Sequence, residues 1–378
     1  MNHVRFHSFC PPEAAFTAAD EVGIYLQPEP GMWNEISPGT PMEAMLYEET
    51  ERMIKYYGNH PSFALMSASN EAKGRWKEAC AKWVQHFRKL DPRRLYTPDT
   101  GWSLIDEPGP VGDKADYLAV HRIGQNMMRG ERAWFGRDYA RAMQGVDVPN
   151  IAHELGQWVA YPDFNVIKKF TGFIRPGNYE IFRASAKANG VLEYNKQFAE
   201  ASGRFQLACY KEEIEANLRT PGLGGFQLLD LHDYTGQGTA LVGLLDPFWE
   251  EKGYASAPAW RQFCGPTVPL ARLSKRVFTT AELLETPIEL THYGGDVAIK
   301  RFIKWEILNN AGRPVDFDEF RLRSLTYGRN TNLGAMRYDL SKFPAPASYS
   351  FMLSGDDAKG VRFREFLELL ALPGASLR

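Results

Sequence analysis

From residue 3 to residue 230 the sequence repeats one pattern: a short apolar run that stops abruptly in polar residues, followed by a stretch with helical spacing. The apolar runs fall at 3–8, 24–27, 63–68, 95–97, 116–121, 150–154 and 224–230. Helical patterns lie between them, at 11–23, 41–58, 73–90, 131–144 and, as two helices broken near Gly203, within 177–217. Continuous apolar runs of this length suit strands buried on both faces, as in a parallel sheet with covering helices. Seven such strands fit an α/β fold of the (β/α)₈ barrel type, about 250 residues long, that lacks one strand–helix unit. An open doubly wound sheet competes with that reading. It usually carries a glycine-rich phosphate turn after its first strand, and no GxGxxG or P-loop follows here. Beyond residue 275 the texture changes. Stretches 288–293, 299–308, 320–325 and 347–352 read as strands separated by turn signals at Gly294-Gly295 and Asn309-Asn310-Ala311-Gly312. The expected organisation is therefore a barrel over 1–275 and an immunoglobulin-like β-sandwich over 276–378.

The ends of the apolar runs hold His7, Glu29, Glu71, Asp99, Trp102, His121, His153, Glu154, Trp158, Asp230, His232 and Asp233. In a barrel these tips converge on one face. Carboxylates and imidazoles there are costly to bury unless paired, so their concentration asks for a functional reason. Glu71 and Glu154 each follow an apolar strand core directly, three units apart. Paired carboxylates across a barrel mouth are what retaining glycoside hydrolysis requires: one attacks the anomeric carbon and the other protonates the leaving oxygen. The plain alternative makes each Glu a helix cap or first-turn acid. Metal chemistry is a rival, through a scattered His/Asp set, but HExxH and His-x-His are absent. A serine nucleophile lacks GxSxG.

Composition narrows the partners. A net charge of −2 gives no basic stripe for nucleic acid, and no apolar run approaches the roughly 18 residues of a membrane span. Cys10, Cys80, Cys209 and Cys264 are far apart, without CxxC or metal spacing; three of them fall in apparent helices and read as small core residues. Met1-Asn-His-Val-Arg-Phe-His7 reads as a strand already under way rather than a leader, which leaves the compartment open. No internal repeat or low-complexity tract interrupts the pattern, and nothing in it specifies an oligomer.

His60-Pro61-Ser62 followed by Asn70-Glu71 resembles the HPS…NE segment of glycoside hydrolase family 2, which includes β-galactosidases, β-glucuronidases and β-mannosidases. Val4-Arg5-Phe6-His7, with Asp20-Glu21-Val22-Gly23-Ile24-Tyr25, is similar to that family's first conserved stretch. Ala152-His153-Glu154 resembles its nucleophile strand, and Gly224-Gly225-Phe226 to Asp230 its last strand. The likeness runs over about residues 3–275 in preserved order. It implies a retaining exo-β-glycosidase, most simply of β-galactoside type, with Glu71 as acid/base, Asn70 on the sugar 2-hydroxyl and Glu154 as nucleophile. The implied partner is a glycoside or oligosaccharide, and the chemistry needs no cofactor or metal. The same mechanism on a β-glucuronide or β-mannoside, or a non-catalytic carbohydrate-binding fragment, are the alternatives. His7, His121, Asp230 and His232 are candidates to hold ring hydroxyls, and Trp102 and Trp158 to stack on the sugar; each has a packing role as its alternative. The sequence departs from the family at His7, one position early, at the Leu-Gly-Gln-Trp that follows Glu154, and at Phe226 where Trp is common. The family barrel also opens with one more strand, preceded by a jelly-roll and a sandwich, so the chain reads as a fragment or a truncated product.

Overall fold

The computed structural model describes residues 1–121, 134–294, 302–325, 327–328, 330–357 and 359–374. These fall into two compact units: Met1–Asn126 with Tyr139–Leu155 and Gly222–Leu228, and Met127–Asp138 with Gly156–Pro221 and Leu229–Arg378.

The first unit alternates β1 (His3–Arg5), α1 (Glu13–Val22), β2 (Tyr25–Gln27), α2 (Pro41–Tyr57), β3 (Leu65–Ser67), α3 (Trp76–Leu90), β4 (Leu95–Thr97), β5 (Thr100–Gly101) and β6 (Leu118–His121). β7 (Asn150–Gly156) and β8 (Leu223–Leu229) complete its strands. β1 pairs with β2, β3 with β4, and β5 with β6 and β6 with β7, all parallel. Single parallel bridges, Leu26 to Phe63 and Asn70 to Thr100, join these pairs, and β8 lies next to β7. The strands thus stand side by side in chain order, as the repeating pattern predicts. The expected barrel is corrected in one respect: among the described residues no ladder joins β8 to β1, and the ring is not closed. Side chains span that gap instead. Gln227 Nε2 donates to Gln27 Oε1 at 2.9 Å and lies 3.1 Å from His3 Nε2.

Local chemistry sets the helices. Thr40 caps α2, accepting from the Glu43 amide, and Glu43 reaches back to the Gly39 amide at 2.6 Å. With Pro41 in the first turn this is a reciprocal capping arrangement. α1 ends on Gly23, at φ +74°, where a side chain would be strained. The Asp20 carboxylate takes His60 Nδ1 at 2.7 Å and the Ser62 amide at 2.9 Å, pinning the entry to β3 against α1. That contact gives His60-Pro61-Ser62 a structural job. Phe16, Leu46, Met53, Trp83, Phe87 and Tyr96 pack as one core between helices and strands.

The second unit holds α4 (Gly177–Ala188), α5 (Asn195–Leu218) and α6 (Ala257–Arg261). Its strands are β9 (Thr267–Ala271), β10 (Val277–Thr279), β11 (Leu283–His292), β12 (Phe302–Leu308), β13 (Pro314–Arg321), β14 (Asn330–Asp339), β15 (Ala347–Asp356) and β16 (Arg362–Leu372). They form a five-stranded sheet, β10-β16-β15-β12-β13, and a three-stranded sheet, β14-β11-β9. Leu284, Ile288, Trp305, Ile307, Phe351, Leu353 and Leu367 make a shared core from both sheets.

Gly203 does not break a helix. It lies inside α5, where an added Cβ would sit 2.2 Å from Tyr254 Cδ1, so the glycine serves a close approach. The break falls between α4 and α5, at 189–194. Of the expected helix at 131–144, residues 131–133 lie outside the described residues. Of the rest, only Ala140–Met143 is helical, as a short 3₁₀ segment. Residues 299–301 of the predicted strand also lie outside the described residues. All four cysteines are free thiols, and no helix among the described residues is long and apolar enough to cross a membrane.

Candidate active site

Glu71 lies beyond the end of β3 and does not cap a helix. α3 begins five residues later, at Trp76, with Arg75 as its cap. The Glu71 amide donates instead to Thr100 O at 3.0 Å, and its backbone is left-handed at φ +44°. Glu154, within β7, is left-handed as well, at φ +47°. Such a backbone costs a non-glycine residue roughly 1–2 kcal/mol. Among the described residues only Gln157 and Trp249 share it, so two of four instances fall on the carboxylates singled out from sequence.

One imidazole spans the pair. His121, at the tip of β6, places Nε2 2.8 Å from Glu71 Oε1 and Nδ1 3.4 Å from Glu154 Oε2. His153 flanks the other side, with Nε2 3.5 Å from Glu154 Oε1 and Nδ1 3.0 Å from Gln227 Oε1. Gly101 makes room for this cluster. At φ +130°, a Cβ there would meet Glu71 Cγ at 2.9 Å and His121 Nε2 at 3.1 Å. Gly101→Ala is therefore expected to push Glu71 off His121 while the chain still folds. If Glu71 acts in catalysis, kcat falls on the order of 10²-fold, as displacement of a reacting group by about 1 Å does. Steady-state kinetics beside a melting curve check this.

A buried polar network supports the carboxylates from below. Arg5 grips Glu29 with Nε to Oε1 at 2.6 Å and Nη2 to Oε2 at 2.7 Å, and donates to Asn70 Oδ1 at 2.7 Å. Glu29 also accepts from Thr100 Oγ1 at 2.6 Å, Ser8 Oγ at 3.1 Å and Gln27 Nε2 at 3.3 Å. Asn70 is fully buried, and its Nδ2 has no hydrogen-bond partner among the described residues.

The electrostatics set Glu154 and Asp99 apart. Burial pushes the Glu154 carboxyl up, but contact with His153 and the charges of His153, His121 and Arg5 more than offset that, holding it at about 2. Burial in turn lowers His153 itself, so the imidazole yields its proton readily. Glu154 is ionised at neutral pH. Asp99 shows the opposite balance: burial raises it to about 7 although it accepts from Ser69 Oγ at 2.7 Å and from the Trp102 and Ala72 amides.

The first unit thus brings together six of the nine candidates: His7, Asn70, Glu71, Trp102, His121 and Glu154. His7 hydrogen-bonds Ser8 Oγ at 3.0 Å and packs edge-on against Trp33, and its imidazole is lowered by burial and by Arg5. Trp102 is exposed and meets the His121 ring edge-on at 5.6 Å, leaving indole surface open. Trp158, Asp230 and His232 belong to the second unit. There Trp158 Nε1 donates to Glu213 Oε2 at 2.8 Å, which is a packing role. Asp230, raised chiefly by burial, accepts from the Leu231 amide at 2.6 Å. His232 stacks at a tilt on Trp249 and bonds Asp233 O at 2.9 Å. The site also uses Arg5, Thr100, Gly101 and Gln227, to which the sequence pattern assigns no role. Polar residues inside apolar runs signalled Arg5 and Gln227; nothing in the sequence signalled Gly101.

No protein-family model and no curated protein matches this chain. Among solved structures it is similar to the exo-β-D-glucosaminidase CsxA, at TM-score 0.51 and 14% identity over 98% of this chain and 45% of that one. A provisional β-galactosidase of Bacteroides fragilis gives TM-score 0.48 and 13% identity, over 99% and 50%. A β-glucuronidase of Parabacteroides merdae gives 0.47 and 12%, over 100% and 45%. The chain spans about half the length of these structures. At such identity the first likeness speaks for the fold alone.

Proposed function

We propose that this chain carries the catalytic centre of a retaining exo-β-glycosidase acting on terminal β-linked sugars, with β-galactosides the first class to test. The observation that carries the reading is the pair Glu71 and Glu154, each on left-handed backbone, at either side of the His121 ring, with Nε2 2.8 Å from Glu71 and Nδ1 3.4 Å from Glu154. The fold likeness to an exo-β-D-glucosaminidase agrees with it.

In this mechanism the Glu154 carboxylate attacks the anomeric carbon. The glycosidic C–O bond breaks as the Glu71 carboxyl proton passes to the leaving oxygen, and the alcohol departs. Water then attacks the same carbon from the face the alcohol left. It gives its proton to Glu71 and frees Glu154 as a carboxylate, so the configuration is retained. Asn70 Nδ2, buried and without a partner among the described residues, is the donor for the sugar 2-hydroxyl. Its own Oδ1 is fixed by Arg5. Trp102 offers a stacking face at the rim.

A panel of aryl β-galactosides, β-glucuronides, β-mannosides and β-glucosaminides tests the reading. Turnover of one class with a β-configured first product supports it; no turnover of any favours a non-catalytic carbohydrate-binding fragment. The pH profile of kcat/KM adds an independent check, because it reports groups of the free enzyme. A depressed carboxyl stays ionised until the pH falls through its own value. The limb belonging to Glu154 is therefore expected near 2, not at the ordinary glutamate value of about 4.3.

A further inference from the structure

His121 and His153 turn one ring nitrogen each toward Glu154, and hydrolysis uses neither as a proton carrier. The other nitrogens fix the tautomers. Gln227 Nε2 donates to Gln27, so its Oε1 is the acceptor for His153 Nδ1–H, which leaves a lone pair on His153 Nε2. His121 Nε2 faces Glu71 Oε1 at 2.8 Å, and in the tautomer that gives its hydrogen to this contact Nδ1 keeps the lone pair. Neither His121 Nδ1 nor His153 Nε2 makes a hydrogen bond among the described residues, and His153 is only 1% exposed. Two imidazole lone pairs therefore turn toward one carboxylate, a donor set that suits a metal cation.

We propose that His121 Nδ1, His153 Nε2 and Glu154 bind a divalent transition-metal ion of the zinc class, and that this ion competes with substrate for the nucleophile. One donor atom from each residue lies within 4.8 Å of the other two. Four-coordinate zinc, with bonds of about 2.0–2.1 Å, sets neighbouring donors about 3.3 Å apart. His121 Nδ1 lies 3.4 Å from Glu154 Oε2 and His153 Nε2 3.5 Å from Glu154 Oε1, so the carboxylate presents one oxygen to each imidazole, and the three donors draw together onto one ion. Two imidazoles and one carboxylate favour zinc, cobalt or nickel over magnesium or calcium, which prefer oxygen throughout. Three protein ligands leave a further position for water or a sugar oxygen. Gln227 and Glu71 fill the outer shell that orients the histidines. Metal binding stands without the glycosidase reading; only the competition rests on it.

The test strips the protein with a chelator and titrates it with Co²⁺, read by visible absorption, and with Zn²⁺, read by calorimetry. One ion per chain is expected. His153→Ala should abolish it, and Gln227→Met, which removes no ligand, should weaken it about 10–100-fold. Melting curves without metal show which variants fold; if His153→Ala does not, Gln227→Met and Glu154→Gln decide. The absence of one-to-one binding by folded wild type, or equal affinity in the folded variants, overturns the proposal. In an active enzyme Zn²⁺ should raise KM with kcat unchanged. Because binding is read directly, a chain that hydrolyses nothing still reports on the metal, and an active chain that binds no ion fails this inference alone.

Discussion

Replacing Glu154 by glutamine is expected to lower kcat on an aryl β-galactoside on the order of 10⁴–10⁶-fold, the range found when a nucleophile is lost. The amide cannot displace the leaving group, and among the described residues only Glu71 and Glu154 bring a carboxylate to the His121 ring. Glu71→Gln should behave differently. An activated aryloxide departs with little help from an acid, so this variant keeps most of its glycosylation rate on dinitrophenyl substrates and loses it on alkyl ones. Azide should restore turnover to both variants with opposite outcomes. The Glu154 variant gives the α-glycosyl azide, because azide replaces the enzyme nucleophile. The Glu71 variant gives the β-glycosyl azide, because azide attacks the glycosyl-enzyme. Equal losses across leaving groups in both variants contradict these roles.

The second large effect is on stability. Arg5→Met leaves the Glu29 carboxylate, with no exposed surface, facing only the neutral donors Thr100, Ser8 and Gln27 among the described residues. Breaking a buried pair from one side costs about 3–5 kcal/mol, most of it the penalty of the stranded charge. Arg5→Met combined with Glu29→Gln should therefore recover much of the loss, since no charge remains to be stranded. Urea denaturation of the two variants measures the difference; a single-mutant cost below about 1 kcal/mol, the scale of a surface pair, contradicts the network. Arg5 also helps hold Glu154 low and fixes Asn70, so the single variant should move the acid limb of kcat/KM upward.

Much of this centre was legible before any coordinates. The apolar runs placed Glu71, His121 and Glu154 at strand tips, and strand tips in parallel sheets are where side chains meet. Residues 95–97 form a strand as read. What sequence could not show was the left-handed backbone at Glu71 and Glu154, because nothing local to either residue demands it. Gly101 was invisible for the same reason, its need for φ +130° arising from Glu71 and His121 across the sheet. The missing ring closure depends on pairing between the first and last strands, the most distant contact in the unit. β16 was missed for a different cause. In Arg362–Leu372, Phe363, Phe366, Leu367 and Leu370 recur at helical spacing, and only the ten-pair ladder with β15 makes the stretch a strand. Gly203 misled because a glycine that permits a close approach looks, in sequence, like one that ends a helix.

The most direct test of the central claim is to incubate wild type with a dinitrophenyl 2-deoxy-2-fluoro-β-galactoside, or the matching sugar from the panel, and map the adduct by peptide mass spectrometry. The electron-poor 2-position slows hydrolysis of the covalent intermediate and lets it accumulate. One fluorosugar per chain, on the carboxylate of Glu154, is the predicted result. An adduct on another residue, or normal turnover of the parent glycoside with an α-configured first product and no adduct, contradicts it.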